Sequence, residues 1–359
     1  MSENVLPHST SADATPQSPL RVVQWSTGTI GSRALRGILE HPSLELCGLY
    51  AHSAEKIGRD AGELSGLPAC EVKATNDIDA IVDLNADCVL YMPLAFDADV
   101  VTRLLSSGTN VVTTCGVFHH PASMDPALRE QITRACELGG TSIHATGSSP
   151  GFITEAVPLV LASIQRRLEG LAIDEYADLS RRDSPEMLFD IMGFGHPPAD
   201  FDARRAEFLA GSFGPSLRLV AEALGYTVEE IRAHGEVATT RDKLQIAAGT
   251  LAPGTVAAQR TTIEAIVDGQ PLLRFRANWY CTTDVEPAWD LLDTGWHISV
   301  LGDAPLEVTL RMPFPLERMA EISPAYTANR AVNAVAAVCA AAPGIHTSLD
   351  LPHLITHLT

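Results

Sequence analysis

Along the first 150 residues, short apolar runs alternate with stretches whose apolar positions recur every three or four residues. The apolar runs predict strands over 21–25, 44–50, 70–75, 87–92, 110–114 and 141–145, and the helical period predicts helices over 29–40, 77–84, 97–107 and 125–138. In 29–40, for example, Ile30, Ala34, Leu35, Ile38 and Leu39 share one face. Ser106-Ser107-Gly108 and Leu138-Gly139-Gly140 supply C-terminal stops. Apolar strands joined by helical crossovers predict an α/β fold with a doubly wound parallel sheet of the Rossmann kind.

The pattern then changes. A helix around 154–168 leads to a strand near 171–179, a helical, proline-punctuated stretch over 184–235, and a run of long strands. Asp268-Gly269 predicts a hairpin turn between strands 255–267 and 272–281. Across the second of these, Leu273, Phe275, Ala277 and Trp279 alternate with Arg274, Arg276, Asn278 and Tyr280, giving one apolar and one polar face. Strands at 296–301 and 306–312 and an Ala- and Val-rich helix at 325–342 follow. The organisation expected is a tail (1–19), a dinucleotide-binding domain (20–153), and an α+β substrate and dimerisation domain with an open, mainly antiparallel sheet (154–322). A C-terminal helix and tail (323–359) pack back on the first domain. Helices on one face of that open sheet leave the other to a partner, so a homodimer is expected.

Charge and composition remove several alternatives. A net charge of −19 opposes nucleic-acid binding, and no apolar run approaches the ~18 residues of a membrane span. Residues 1–19 lack the basic and apolar regions of a signal peptide. The seven cysteines are widely spaced, odd in number and without a C-x-x-C, which points to reduced thiols in the cytoplasm. His119, His120 and Cys115 lack further ligands at useful spacing, so no metal site is expected.

The strongest chemical signal lies where the first strand meets the first helix. Ser26-Thr27-Gly28-Thr29-Ile30-Gly31 is a G-x-G-x-x-G turn with Ser26 in place of the first glycine. Such a turn holds a pyrophosphate with backbone N–H groups and the helix dipole. At the end of the second strand no acid stands ready for a ribose; His52, Ser53 and Lys56 offer donors and positive charge instead, which favours NADP, while Glu55 keeps NAD open. Pro93, Leu94, Thr114, Cys115 and Gly116 follow strand ends and are expected on the nicotinamide side. A second glycine turn, Thr146 to Phe152, fits a capped domain crossover or a ligand contact. Hydrolase, P-loop and metalloprotease motifs are absent.

Residues 23–31, 52–56, 58–64 (Gly-Arg-Asp-Ala-Gly-Glu-Leu), 147–152, 192–195 (Met-Gly-Phe-Gly) and 330–334 (Arg-Ala-Val-Asn-Ala) together resemble the dihydrodipicolinate-reductase-like oxidoreductases. Within them the chain is most similar to the branch with 2,4-diaminopentanoate dehydrogenase and the native amine dehydrogenases. The resemblance implies a nicotinamide cofactor, a dimer, and reduction of a C=N group formed from a small apolar carbonyl substrate and ammonia. It also implies a glutamate just past the fifth strand, beside the iminium. Val117 stands at that position, and no Asp or Glu occurs between Asp99 and Asp125. Glu155 and His120 are the candidates to replace it as catalytic groups; Val117, Phe118, Phe152, Met192, Phe194 and His196 are candidates for the substrate wall. The sequence alone leaves open an ammonia-independent carbonyl reductase and a non-catalytic NADP-binding sensor.

Overall fold

A computed structural model describes residues 18–199 and 201–357; most of the expected tail, residues 1–17, lies outside them. The strands of a first sheet are β1 (Leu20–Trp25), β2 (Leu44–Tyr50), β3 (Ala74–Thr75), β4 (Cys88–Tyr91), β5 (Asn110–Thr113) and β6 (Ser142–Ala145). Between them run α1 (Thr29–Glu40), α2 (Ala61–Ser65), α3 (Ile78–Val82), α4 (Ala98–Ser106) and α5 (Pro126–Gly139). The sheet is parallel throughout, in the order β3-β2-β1-β4-β5-β6, the doubly wound arrangement whose crevice lies outside the strand carboxyl ends. Its strands are buried on both faces; Val22, Val23, Leu90, Val111 and Val112 have no exposed surface. On α1, Leu35 and Ile38 are fully buried, each stabilising the fold by roughly 1.5–3 kcal/mol.

After α6 (Val157–Ala162), a second sheet is built from β7 (Leu168–Asp178), then, beyond α7 (Ala203–Ala223), from β8 (Glu230–Thr240). A small hairpin, β9 (Leu244–Ile246) and β10 (Gly249–Leu251), stands apart. The second sheet continues with β11 (Val256–Val267), β12 (Gln270–Tyr280), β13 (Val285–Glu286), β14 (Gly295–Gly302) and β15 (Leu306–Arg311). Its order is β13-β8-β11-β12-β7-β14-β15, antiparallel except for β7 against β12. Asp268 and Gly269 both take positive φ (50° and 71°), as a tight two-residue hairpin requires. One cross-strand row, Ala233-Ile263-Phe275-Ile173-Ile298, forms part of the apolar face, where Phe213 of α7 stacks on Phe275 at 4.1 Å. The next row, His234-Thr262-Arg276-Asp174-His297, belongs to the polar face. Finally α8 (Met319–Cys339) returns to pack on α1, and β16 (Gly344–His346) adds a seventh parallel strand beside β6.

Several elements differ from the sequence pattern. The strand expected over 70–75 shrinks to two residues because the Asp60 carboxylate accepts from the N–H groups of Cys70 and Glu71 (3.0 and 2.8 Å), and Glu71 turns to φ 67°. Residues 230–235, expected in a helical stretch, form part of β8, where exposed and half-buried positions alternate, the period of a strand. The helix expected over 154–168 stops at Ala162, and Leu168 already begins β7.

Candidate active site

The turn after β1 is held from below. Gln24, fully buried, donates from Nε2 to the carbonyls of Trp25 (3.1 Å) and Ser26 (2.9 Å). Ser26 takes φ 76°, the left-handed conformation glycine adopts without strain. The two glycines have different tasks. A methyl group on Gly31 would sit 2.2 Å from the Ser26 carbonyl oxygen, so packing alone fixes that residue. A methyl group on Gly28, the N-cap of α1, would meet no atom within 4 Å. No side chain caps this helix and no acid stands in its first turn, so its leading N–H groups face an open cradle suited to a phosphate. Lys56 Nζ donates to the Thr27 carbonyl (3.1 Å), bringing a cation from the β2 loop to the same turn. Tyr50 at the end of β2 stacks on Trp25 (3.7 Å), with His52 edge-on to it at 5.0 Å; His52 is exposed and Ser53 half-buried.

Farther along the crevice, Pro93 is half-buried and Leu94 fully exposed beyond β4. Beyond β5, Thr113 Oγ1 donates to the Tyr91 carbonyl (2.8 Å) and accepts from Cys115 N–H (3.1 Å), fixing the strand exit. Thr114, Cys115 and Gly116 are half-buried there, and burial pushes the Cys115 thiol up. The second glycine turn is clamped by α8. Thr327 Oγ1 accepts from Ser148 N–H (3.2 Å) and shares a proton with its hydroxyl (2.7 Å). One turn on, Arg330 Nε donates to Thr146 Oγ1 (3.2 Å), and the guanidinium lies over the Phe152 ring at 5.6 Å.

Beneath this turn sits Glu155, with no exposed surface. Its Oε1 lies 2.5 Å from His119 Nδ1 and accepts from Ser216 Oγ of α7 (2.5 Å); its Oε2 accepts from Ser348 Oγ, just after β16. Burial pushes this carboxyl up, but the His119 charge and the hydrogen bonds from His119, Ser216 and Ser348 outweigh it and hold the group below the ordinary range. His119, not the expected candidate His120, is thus the histidine that turns inward to Glu155. His120 turns the other way, its Nε2 2.7 Å from the exposed carboxylate of Glu222. His144 on β6 keeps its Nδ1 2.9 Å from the His346 carbonyl, and burial pushes it down to about 4, so it is neutral near pH 7.

The expected substrate wall is dispersed. Phe118 is fully buried in the core of the first sheet, edge-on to Phe96 at 5.3 Å, because Gly116–His119 winds into a short helical turn that points it inward. Met192 and Phe194 pack in a separate core with Leu188, Leu251 and Tyr280, and His196 is exposed. Phe118 therefore lies in a different core from Met192 and Phe194. Val117 instead faces an open cleft of about 600 Å³ between this turn and α7, whose lining includes Met124, Phe208, Gly211 and Pro215.

Comparison with known proteins agrees with this architecture. Residues 153–358 match the family described as the 2,4-diaminopentanoate dehydrogenase C-terminal domain. An amine dehydrogenase of Streptomyces virginiae is 29% identical over 356 residues, covering 93% of this chain and 96% of the relative. A 2,4-diaminopentanoate dehydrogenase of Acetoanaerobium sticklandii is 23% identical over 350 residues, 93% of each chain. Among solved structures, an amine dehydrogenase from Mycobacterium smegmatis shares the fold with a TM-score of 0.75 at 20% identity, covering 95% of this chain and 98% of that one.

Proposed function

The chain belongs to the 2,4-diaminopentanoate dehydrogenase family, and from that premise we propose that it reduces a small apolar carbonyl compound, with ammonia, to an amine at the expense of NADPH. It is an NAD(P)-dependent oxidoreductase acting on C=N or C=O groups. The observation that carries the cofactor reading is the cradle at Gly28, open on the side where a side chain would otherwise lie and lined by the uncapped start of α1. Ser26, Thr27, Gly28, Thr29, Ile30 and Gly31 would hold the pyrophosphate, and Pro93, Leu94, Thr114, Cys115 and Gly116 would flank the nicotinamide, which supplies the hydride when bound. Product analysis tests the reaction: a ketone incubated with NADPH and ammonium should yield the amine, and accumulation of the alcohol instead would favour the ammonia-independent reductase.

His52, Ser53 and Lys56 support NADP over NAD, since Lys56 reaches the phosphate turn and the strand end presents no carboxylate to repel a 2′-phosphate. A charge-assisted contact of this kind is worth about 1.5–3 kcal/mol, or roughly 10–100-fold in affinity. NADPH should therefore bind at least about tenfold more tightly than NADH, and Lys56→Ala should erase most of that difference without weakening NADH. Equal affinities in the unaltered chain would assign the cofactor to NAD.

The substrate side rests on Val117 and the cleft it faces. Gly211 is an apt probe, because a methyl group added there meets no atom within 4 Å. Gly211→Leu, whose Cβ meets no protein atom, places a branched side chain at the cleft and should lower kcat/KM for bulky ketones by about tenfold or more while sparing acetaldehyde-sized substrates. A uniform effect on all substrates would remove the cleft from the substrate's path.

A second copy of the chain is the proposed partner. The polar face of the second sheet carries half-buried Arg274 and Arg276 around Asp174, Arg260 beside Glu236, and Glu264 across from Arg274, a mixed-charge surface able to pair with itself about a two-fold axis. The seven unpaired thiols support a reducing compartment such as the cytoplasm.

A further inference from the structure

Reducing a carbonyl leaves its oxygen in need of a proton, and forming an iminium from a carbonyl and ammonia requires a proton on the departing hydroxyl. Val117 can supply neither. Two residues on, in the same short turn, His119 is buried with its Nδ1 2.5 Å from Glu155 Oε1, while its Nε2 is buried and has no partner among the described residues. A carboxylate that accepts from Nδ1–H fixes the tautomer and orientation of the ring and leaves Nε2 as the one position for proton exchange. Glu155 is in turn held by Ser216 of α7 and Ser348 from beyond β16, so elements from the middle and the C-terminal end of the chain lock the pair. The other ionisable groups around it are His144 on β6 and Arg330 on α8. His144 is neutral, and Arg330 is tied to Thr146. Buried polar atoms are seldom left unpaired, and this nitrogen, two residues beyond the cleft-lining Val117, is accounted for if its partner is a substrate oxygen.

We propose, on the basis of the reductase reading above, that His119, positioned by Glu155, supplies the proton that Val117 cannot. The Nε2–H bond breaks as an O–H bond forms, either on the carbonyl oxygen while hydride reaches its carbon or on the carbinolamine hydroxyl that leaves as water. The neutral imidazole keeps its Nδ1–H on Glu155 until solvent returns a proton to Nε2. The serines hold the carboxylate through this cycle and exchange no protons with substrate.

The test is His119→Asn, whose side-chain amide can still donate to Glu155 but has no counterpart of Nε2, with Glu155→Asp as a conservative companion. The asparagine variant should bind NADPH as the unaltered chain does and lose about 100-fold or more in kcat with KM little changed, a typical general-acid contribution. The unaltered chain should lose rate as rising pH removes its proton donor, and the asparagine variant should lack that fall. Glu155→Asp should keep a large part of the rate and retain that alkaline fall. Turnover of His119→Asn at the unaltered rate overturns the proposal. So does a rate in the unaltered chain that is level across the alkaline range, a result that needs no variant. If the unaltered chain reduces no carbonyl with or without ammonium, the reductase reading itself fails; normal turnover insensitive to His119 removes only this assignment.

Discussion

Alanine in place of Gly28 should abolish cofactor binding while leaving the fold intact. The residue has φ −70°, which alanine adopts freely, and its methyl group would enter a space with no protein atom within 4 Å. The only loss to the apo protein is a modest one at a helix N-cap, about 1 kcal/mol or less. In the complex that same space is where the pyrophosphate approaches the backbone, so the affinity for NADPH should fall by about 100-fold or more, equivalent to roughly 2.7 kcal/mol. Isothermal titration of the variant, beside its urea midpoint, separates the two effects. Gly31→Ala makes the contrast: its methyl group would lie 2.2 Å from the Ser26 carbonyl oxygen, so it should reduce stability even without cofactor. Unimpaired NADPH binding by Gly28→Ala would move the cofactor away from this turn.

The second large effect is on stability. Removing the Glu155 carboxylate leaves His119, Ser216 and Ser348 without their shared acceptor in a buried site, and Glu155→Ala should cost about 3–5 kcal/mol, the range for breaking a buried pair by deleting one partner. Glu155→Gln, which keeps the volume and an acceptor, should cost less. The pH dependence follows from the sign of the shift. The folded-state pKa is held below the unfolded value, so the stabilisation is fully present above the ordinary glutamate range near pH 4.3 and is lost as pH falls through the depressed folded value. Urea midpoints measured from pH 7 downward should converge for the unaltered chain and Glu155→Gln; a gap that stays constant into strong acid would mean that Glu155 is not ionised in the folded state.

Those two residues also mark what a sequence can and cannot disclose. The glycine turn was legible because its parts are consecutive: an apolar strand, a turn, and a helix face whose period declares itself within a dozen residues. The hairpin at Asp268-Gly269 and the strands β1, β2, β4, β5 and β6 were legible for the same local reason. The Glu155 site was only half visible. Glu155 stood out as a carboxylate just beyond the second glycine turn, but its partners lie 36, 61 and 193 residues away, and no spacing rule links them. The choice between His119 and His120 depends on how one short helical turn is wound, which side chains distant in sequence decide. Aromatic and sulfur-bearing residues at Phe118, Met192 and Phe194 read equally well as substrate wall or core, and packing made them core. The missing strand over 70–73 was likewise a tertiary decision, made by one aspartate ten residues upstream.

The central claim is that this fold couples NADPH oxidation to the capture of ammonia by a small apolar carbonyl. NADPH consumption by the unaltered chain, followed against a panel of short aliphatic aldehydes and ketones with and without excess ammonium, tests it most directly. The account predicts consumption that requires both the carbonyl compound and ammonium and that disappears with Gly28→Ala. Consumption at the same rate without ammonium would contradict it.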